Sequence, residues 1–369
     1  MPVRIHPYTE DMVPAVRAFN QRLAAGGIAP EFHFPESHIP HWLPKTDSQH
    51  IYQEYYLAVD DQFVRGGFIL KYQEFWLGGE MRSLAYYHLP VSEGIVNKKY
   101  AGIGVHMLRS AMKMQPMLFA LGMGGFDRPL PTMLKAMRWE MAIVPFYFKV
   151  NHPSRFLREI SPLRSSPARR AAAGLAAVTG AGWLGIKALH WMRSRATPQT
   201  SVEVINSFGS WADDLWQQCS SQYALIGNRD RATLNILYAG GKNFVCLKVA
   251  CANRVAGWAV VLDTQMRKNK YFANLRVGSI ADCLATPKDA PAVVVAATRA
   301  LQERGVDLVI ANHSHFAWRQ AFRSAGFLEG PSNFIFAASP AFAEKLHPFD
   351  RNQPQVYLNR GDGDGPVNL

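Results

Sequence analysis

Lys99-Tyr100-Ala101-Gly102-Ile103-Gly104 sets a basic residue, two spacers and a Gly-x-Gly pair where a helix is about to begin. Glycines let backbone amides come close to a ligand, and a helix start carries partial positive charge. The chemistry this spacing suits is the binding of a diphosphate. A second group, Asn312-His313-Ser314-His315, follows an apolar strand, with Asp282 and Cys283 on a neighbouring strand. Two imidazoles, an amide and a carboxylate at a strand end suit the orientation of an acceptor or a water. His-x-His with no further carboxylate or cysteine ligand is not a zinc pattern, so no metal is expected.

The elements that must position these groups are read from periodicity. The first third gives a strand at 3–6, a helix at 10–23, a hairpin of strands 55–59 and 64–72, and a strand at 83–91. The glycine loop then opens a helix carrying Ile103, Met107, Leu108, Ala111 and Met114 at helical spacing, closed by Gln115-Pro116. A strand at 117–121, a helix near 131–138 and a strand at 143–150 follow. The second half repeats this order: helix 211–219, strands 244–250, 255–262 and 275–284, helix 291–304, strand 306–311, helix 316–324 and strand 333–337. An internal duplication follows, with an α/β (α+β) fold in which two halves each build a mixed, mostly antiparallel sheet flanked by helices. The expected domains are 1–152 and 201–345, with an inter-domain segment at 153–200 and a tail at 346–369. The second half enters its helix through Pro291 with no glycine pair, so it lacks the phosphate loop.

The chain has 369 residues and a formal net charge of +12, which favours anionic partners. The excess concentrates at 149–195, where nine Lys and Arg oppose the single acid Glu159. Aromatics do not alternate with these charges as a single-strand stacking surface needs, and nucleic acid is not the expected partner. Within this belt, 171–192 is apolar with Trp183 and Trp191, yet only sixteen residues separate Arg170 from Lys187. That is too short to span a bilayer, and basic flanks with tryptophans suit contact with an anionic membrane surface. A buried inter-domain helix and a flexible Gly/Ala linker are the competing readings. Four cysteines without a Cys-x-x-Cys pair, and an N-terminus without an export run, suit a cytoplasmic protein, peripheral on the membrane if the apolar stretch contacts lipid.

With the loop, the duplicated order and the phrase Ala321-Phe-Arg-Ser-Ala-Gly-Phe327 in hand, the chain resembles the GNAT acyltransferase superfamily in a tandem form. Lys99 stands where that family's Arg/Gln-x-x-Gly-x-Gly/Ala loop has Arg or Gln. Arg229-Asp230, Leu234 and Tyr238 resemble members from bacterial envelope and polysaccharide biosynthesis, although Ile236 and Leu237 replace a usual aromatic and basic residue. The resemblance implies an N-acyltransferase using acyl-coenzyme A, with acetyl-coenzyme A the expected donor and an amine acceptor such as an amino sugar or an envelope precursor. It implies diphosphate contacts from Lys99, Tyr100, Ala101, Gly102, Ile103 and Gly104, and strand contacts from Leu89 and Val91. Candidate proton-transfer residues are Glu93, His88 and Tyr87; Asp282, Asn312, His313 and His315 are candidates for the acceptor. The family's late-helix Tyr is missing, as Thr132-Met133 and Phe322 occupy that region. The alternatives are a Fem-type aminoacyl transferase using charged tRNA, or a GNAT pair that binds without catalysis.

Overall fold

Long amphipathic strands joined by tight turns give the chain two sheets. The computed structural model describes residues 3–160, 199–239 and 243–365, except His38, His41 and 47–49. The first elements are β1 (Arg4–Pro7), α1 (Val13–Ala25), β2 (Tyr52–Asp60), β3 (Phe63–Leu77), β4 (Glu80–Ser92), α2 (Ile103–Met114), β5 (Leu118–Leu121), α3 (Pro129–Ala136), β6 (Glu140–Ile143), β7 (Phe146–Val150) and α4 (Pro153–Glu159). Then come β8 (Ser201–Ile205), α5 (Trp211–Ser220), β9 (Leu225–Gly227), α6 (Arg231–Leu237), β10 (Phe244–Cys251), β11 (Arg254–Gln265) and β12 (Arg276–Ala285). The last are α7 (Ala290–Glu303), β13 (Leu308–Asn312), α8 (Phe316–Ser324), β14 (Leu328–Gly330), β15 (Ile335–Ala338) and α9 (Pro340–Lys345).

Two compact units divide the chain: Met1–Ala142 with Ile335–Arg351, and Ile143–Phe334 with Asn352–Leu369. The first unit's sheet runs β1-β2-β3-β4-β5-β15-β6 and the second runs β14-β7-β13-β12-β11-β10-β8. Both are mostly antiparallel, each with a parallel pair, β4–β5 in the first and β12–β13 in the second. The units cut across the halves expected at 1–152 and 201–345. The strand read at 143–150 is two strands broken by Val144-Pro145, and its later part, β7, pairs with β13, Phe148 opposite Ile310. In return β15 pairs with β5, Ala337 opposite Ala120. In the segment expected as a tail, Tyr357, Leu358, Asn359 and Asp362 are buried in the second unit.

The central hairpin of the first unit is longer than its apolar runs suggest. Gly78 (φ 59°) and Gly79 (φ 99°) form a two-residue turn with both residues left-handed, which matches strand twist and carries β3 and β4 through polar residues to the turn. One face of this sheet packs on α1 through Val16, Phe19 and Leu23 against Leu57, Ile69 and Val91. The other face packs on α2 and α3: Ile103, Met107, Leu108, Ala111 and Leu134 cover Phe68, Leu70, Ala85 and Tyr87. The helical spacing of α2 was legible, but Met114 is 43% exposed and lies off that stripe. Among the described residues no helix is long and apolar enough to cross a membrane. The apolar stretch 171–192 lies outside the described residues.

Candidate functional site

The glycine loop leaves β4 through two short 3-10 turns, Glu93–Ile95 and Lys98–Tyr100, and enters α2 at Gly102. Three of its six amides are already committed. The Lys99 N–H donates to Asn97 Oδ1 at 3.1 Å, that of Tyr100 to Asn97 O at 2.9 Å, and that of Ala101 to Lys98 O at 3.1 Å. The diphosphate set expected at 99–104 therefore narrows to Gly102, Ile103 and Gly104, whose amides meet no acceptor among the described residues. These are the open donors of a helix start, aligned with its dipole.

The protein itself does not require glycine at either position. Gly102 has ordinary right-handed angles (φ −75°, ψ −12°), and a Cβ there would meet nothing within 4 Å. At Gly104 a Cβ would sit 3.7 Å from Met133 Sδ and Ser92 Oγ, an ordinary contact. Gly94 is the opposite case: a Cβ would come within 2.6 Å of Tyr100 O, so this glycine is needed to pack the loop. Gly102 is the N-cap of α2, a position that glycine readily fills, whereas glycine at 104, inside the helix, costs stability relative to alanine with no packing reason for it. Lys98 and Lys99 are exposed beside it.

The helix start abuts the end of β4, where the sheet opens. β4 and β5 pair only at Ala85–Leu118 and Tyr86–Phe119. Beyond Tyr86, β4 carries a bulge: Ile69 faces His88 and Gly67 faces Val91, so Leu89 and Pro90 together oppose Phe68. Leu89 is left-handed (φ 44°), a conformation a leucine rarely takes, and the extra residue bends the strand. β5 meanwhile continues against β15 on its other side. A V opens between the two strands, and the Tyr86 hydroxyl reaches across to Leu121 O at 3.1 Å.

The three proton-transfer candidates have different surroundings. Glu93 is buried and clamped: Arg22 Nε and Nη2 donate to it at 3.1 Å, and Arg65 Nη1 at 3.0 and 3.2 Å. Burial works to raise its pKa, but the two guanidiniums outweigh it and hold the carboxyl below its ordinary value. A carboxylate so held is a poor base, and its expected catalytic place is corrected to a structural ion triad. Tyr87 is sealed in the α2 and α3 core against Phe68, its hydroxyl has no partner among the described residues, and burial pushes its pKa up. It is not placed to exchange a proton with solvent. His88 is half-buried on the rim, its ring 5.2 Å from that of Tyr86, one residue before the bulge.

One residue at this site escaped the sequence reading. Lys71 on β3 is fully buried, faces Tyr86 across the ladder, and holds its Nζ 5.6 Å from the Trp42 ring and 5.9 Å from the Tyr86 ring. The signal was present: Lys71 directly follows the apolar run Phe68-Ile69-Leu70, and a charged residue against such a run is the informative one.

The second unit closes the equivalent opening with its own chain. β12 and β13 pair in parallel from Val277–Leu308 to Ile280–Ala311 and then part. Residues 356–362 lie there: the Tyr357 hydroxyl donates to Cys283 O, the Ser314 N–H donates to Leu358 O at 3.0 Å, and Asn359 pairs with His313. Asp282 accepts from Arg229 Nε at 3.1 Å, Asn359 Nδ2 at 2.8 Å and the Tyr238 hydroxyl at 2.5 Å. Arg229 also donates to Asp362 at 2.9 Å. Asn312 accepts from Arg360 Nε at 3.2 Å. His313 Nδ1 accepts from the His315 N–H, and His315 Nδ1 accepts from the Ala317 N–H at the start of α8. The acceptor pocket expected at Asp282, Asn312, His313 and His315 is thus corrected: these residues are together, but as a sealed network around the inserted tail. At α7, Asp289 O already accepts from the Ala292 and Val293 N–H groups. Among the described residues no group of three or more His, Cys, Asp or Glu could hold a metal.

No sequence-family model matches the chain, and no curated protein matches it in sequence. Solved structures do. A conserved Enterococcus faecalis protein of unknown function, described as a probable N-acyltransferase, superposes with a TM-score of 0.50 at 10% identity, covering 93% of this chain and 74% of that one. Saccharomyces cerevisiae N-myristoyltransferase, solved with myristoyl-CoA and inhibitors, gives 0.54 at 9% identity, covering 91% and 79%. At these identities the likeness is one of fold alone: mostly antiparallel sheets flanked by helices.

Proposed function

We propose that this chain is an acyl-coenzyme A-dependent N-acyltransferase whose first unit holds the thioester. The observation that carries this is the pair Gly102 and Gly104, which neither backbone angles nor packing requires, at a helix start with open amides beside a parted strand pair. The Gly102, Ile103 and Gly104 amides would take the diphosphate, with Lys98 and Lys99 adding charge. The bulge at Leu89 and Pro90 turns backbone groups of β4 out of the ladder. Together with Val91 they would lie along the pantetheine arm.

The chemistry is attack of an amine on the thioester carbonyl, with loss of thiolate. The attacking amine must shed a proton, and His88, half-buried on the rim, is the side chain assigned to take it, directly or through one water. The departing thiolate is protonated from solvent. One fold neighbour is an N-acyltransferase crystallised with an acyl-CoA and another is described as a probable N-acyltransferase, which supports this class of donor and acceptor. Within that class an amino sugar or envelope-precursor amine remains the proposed acceptor, and the proposed location is the cytoplasm. Neither the site nor the neighbours favour the charged-tRNA alternative. The non-catalytic alternative has one observation behind it: with Glu93 clamped and Tyr87 sealed, proton transfer rests on His88.

Calorimetric titration with coenzyme A tests the proposal. Saturable binding that Gly104→Asp abolishes is expected; no binding at millimolar coenzyme A would end it. Binding without thiol release in the presence of amino-sugar or peptide amines would favour the non-catalytic reading.

A further inference from the structure

β11 and β12 pair antiparallel as far as Gln265–Arg276, a ladder that about two to five residues would close. Residues 266–275 connect them instead, and Arg267, Lys268 and Lys270 stand in that stretch with no acid. The loop is held by its own bonds. Asn269 and Ala273 exchange backbone hydrogen bonds at 2.9 Å, and Asn269 Oδ1 accepts from the Tyr271 and Phe272 N–H groups at 2.9 and 3.0 Å. Phe272 packs against the core that Val150, Met266, Leu275 and Val277 share with Phe156 of α4. Asn274 donates through its N–H and Nδ2 to Glu159 Oε2, both at 3.3 Å, and so fastens the loop to the end of α4. Tyr271 is left outside, 44% exposed, with Lys270 Nζ 5.0 Å from its ring centroid. Neighbouring cations are neutralised, Arg155 by Asp307 and Arg276 by Asp263. Arg158, Arg267, Lys268 and Lys270 are exposed and enter no ion pair among the described residues.

We propose that this loop and the end of α4 form a docking surface for an anionic lipid bilayer, with Tyr271 set at headgroup depth. Every side chain in it belongs to the second unit, so it stands apart from the apolar stretch 171–192 and from the acyl-coenzyme A reading. Three cations within 267–270 repel one another, and a negatively charged leaflet relieves that repulsion. Each cation brought to such a leaflet gains about fivefold in partitioning. Tyrosine adds an apolar ring and a hydroxyl, the combination that settles where headgroups meet acyl chains. A single-stranded nucleic acid needs successive rings to stack its bases, and Phe272 is turned into the core instead. The hydrogen-bonded loop holds these groups in place beforehand, so little order has to be gained on docking.

The test is co-sedimentation of the full chain with vesicles of phosphatidylcholine alone and of phosphatidylcholine mixed equally with phosphatidylglycerol. Binding to the mixed vesicles only, at about 0.1 M salt and lost at about 0.5 M, is expected. The pair Arg267→Gln and Lys270→Gln should lower that partitioning about twentyfold, and Arg158→Gln alone about fivefold. Arg254→Gln with Lys288→Gln removes the same charge at the far end of β11, about 35 Å along the strand and beyond the screening length. That pair should change partitioning less than about threefold. Should the Arg267 and Lys270 pair fail to fold, Tyr271→Ser replaces one exposed ring and is expected to weaken binding at least about threefold. Equal losses from the two pairs would mean that net charge alone acts, and would overturn the surface. So would binding that ignores the phosphatidylglycerol, or no vesicle binding at all. A single-stranded RNA bound through Arg267 and Lys270 where the mixed vesicles are not would replace the bilayer with nucleic acid.

Discussion

Arg229 Nε lies 3.1 Å from Asp282 Oδ1, and each side chain is 1% exposed. The pair joins β12 to the inserted tail, because Arg229 also holds Asp362 and Asp282 also accepts from Asn359. Desolvation opposes charge on Arg229, but Asp282 and Asp362 outweigh it and keep the guanidinium charged. Removing one partner leaves the others buried without compensation, which costs about 3–5 kcal/mol. Asp282→Ala should therefore lower the denaturant midpoint sharply. Coenzyme A binding by whatever protein stays folded should persist, since the cofactor site is assigned to the other unit. Loss of coenzyme A affinity in folded Asp282→Ala protein would contradict the assignment.

The two kinds of glycine around the loop make opposite predictions. Gly102→Val adds a side chain whose Cβ meets nothing within 4 Å, so stability should fall only by the loss of a glycine N-cap, about 1 kcal/mol, while coenzyme A binding falls at least tenfold. Gly94→Ala drives a Cβ to within 2.6 Å of Tyr100 O, so it should destabilise by about 1–3 kcal/mol. Thermal melts with and without coenzyme A separate these outcomes. Equal effects of both changes on stability would remove the reason for assigning Gly102 to a ligand.

Glu93 and His88 divide along the same line between structure and chemistry. The Glu93 carboxyl is held below its ordinary value, so its stabilising contribution is present above the unfolded carboxylate pKa. It is lost as pH falls through the lower folded value. Glu93→Ala should cost about 3–5 kcal/mol in unfolding experiments and remove that acid-side loss. His88→Gln should leave stability near wild type and lower turnover by about 10²–10⁴-fold, the usual worth of a positioned general base. A Glu93→Gln enzyme that folds normally yet loses the acid limb of its pH–activity profile would reverse the assignment.

What the sequence made legible was local. The Gly-x-Gly loop, the apolar stripe of α2 and the hairpin strands follow from residue type and spacing within one or two elements. Partners far along the chain were not legible. Alternation identified β7 as a strand but carried no sign that Phe148 pairs with Ile310, because many apolar strands satisfy the same pattern. Glu93 looked available because Arg22 and Arg65, which clamp it, lie 71 and 28 residues away. Asn312, His313 and His315 read as a ligand group because a sealed histidine and an acceptor-binding one are alike in sequence. Tyr357 and Asn359, which fill the space beside them, lie more than forty residues further along the chain.

His315 gives the second unit a calculable response to acid. The residue is 1% exposed, packs edge-on against Tyr223 at 4.7 Å, and accepts from the Ala317 N–H through Nδ1. Burial pushes its pKa down to about 4 from an ordinary 6.5. Between those values the unfolded chain binds the proton and the folded chain does not, so stability falls as pH drops from about 6.5 towards 4. A depression of this size is worth on the order of 3 kcal/mol. His313 is depressed in the same direction, by burial first and then by His315 and Arg229, and adds to the loss. His315→Asn keeps an acceptor at the start of α8 and cannot titrate, so it should flatten part of the dependence while holding neutral-pH stability within about 1 kcal/mol. Urea denaturation at pH 7, 6 and 5 would decide it: a wild-type unfolding free energy constant across that range would mean that the imidazole is not buried neutral in the folded chain.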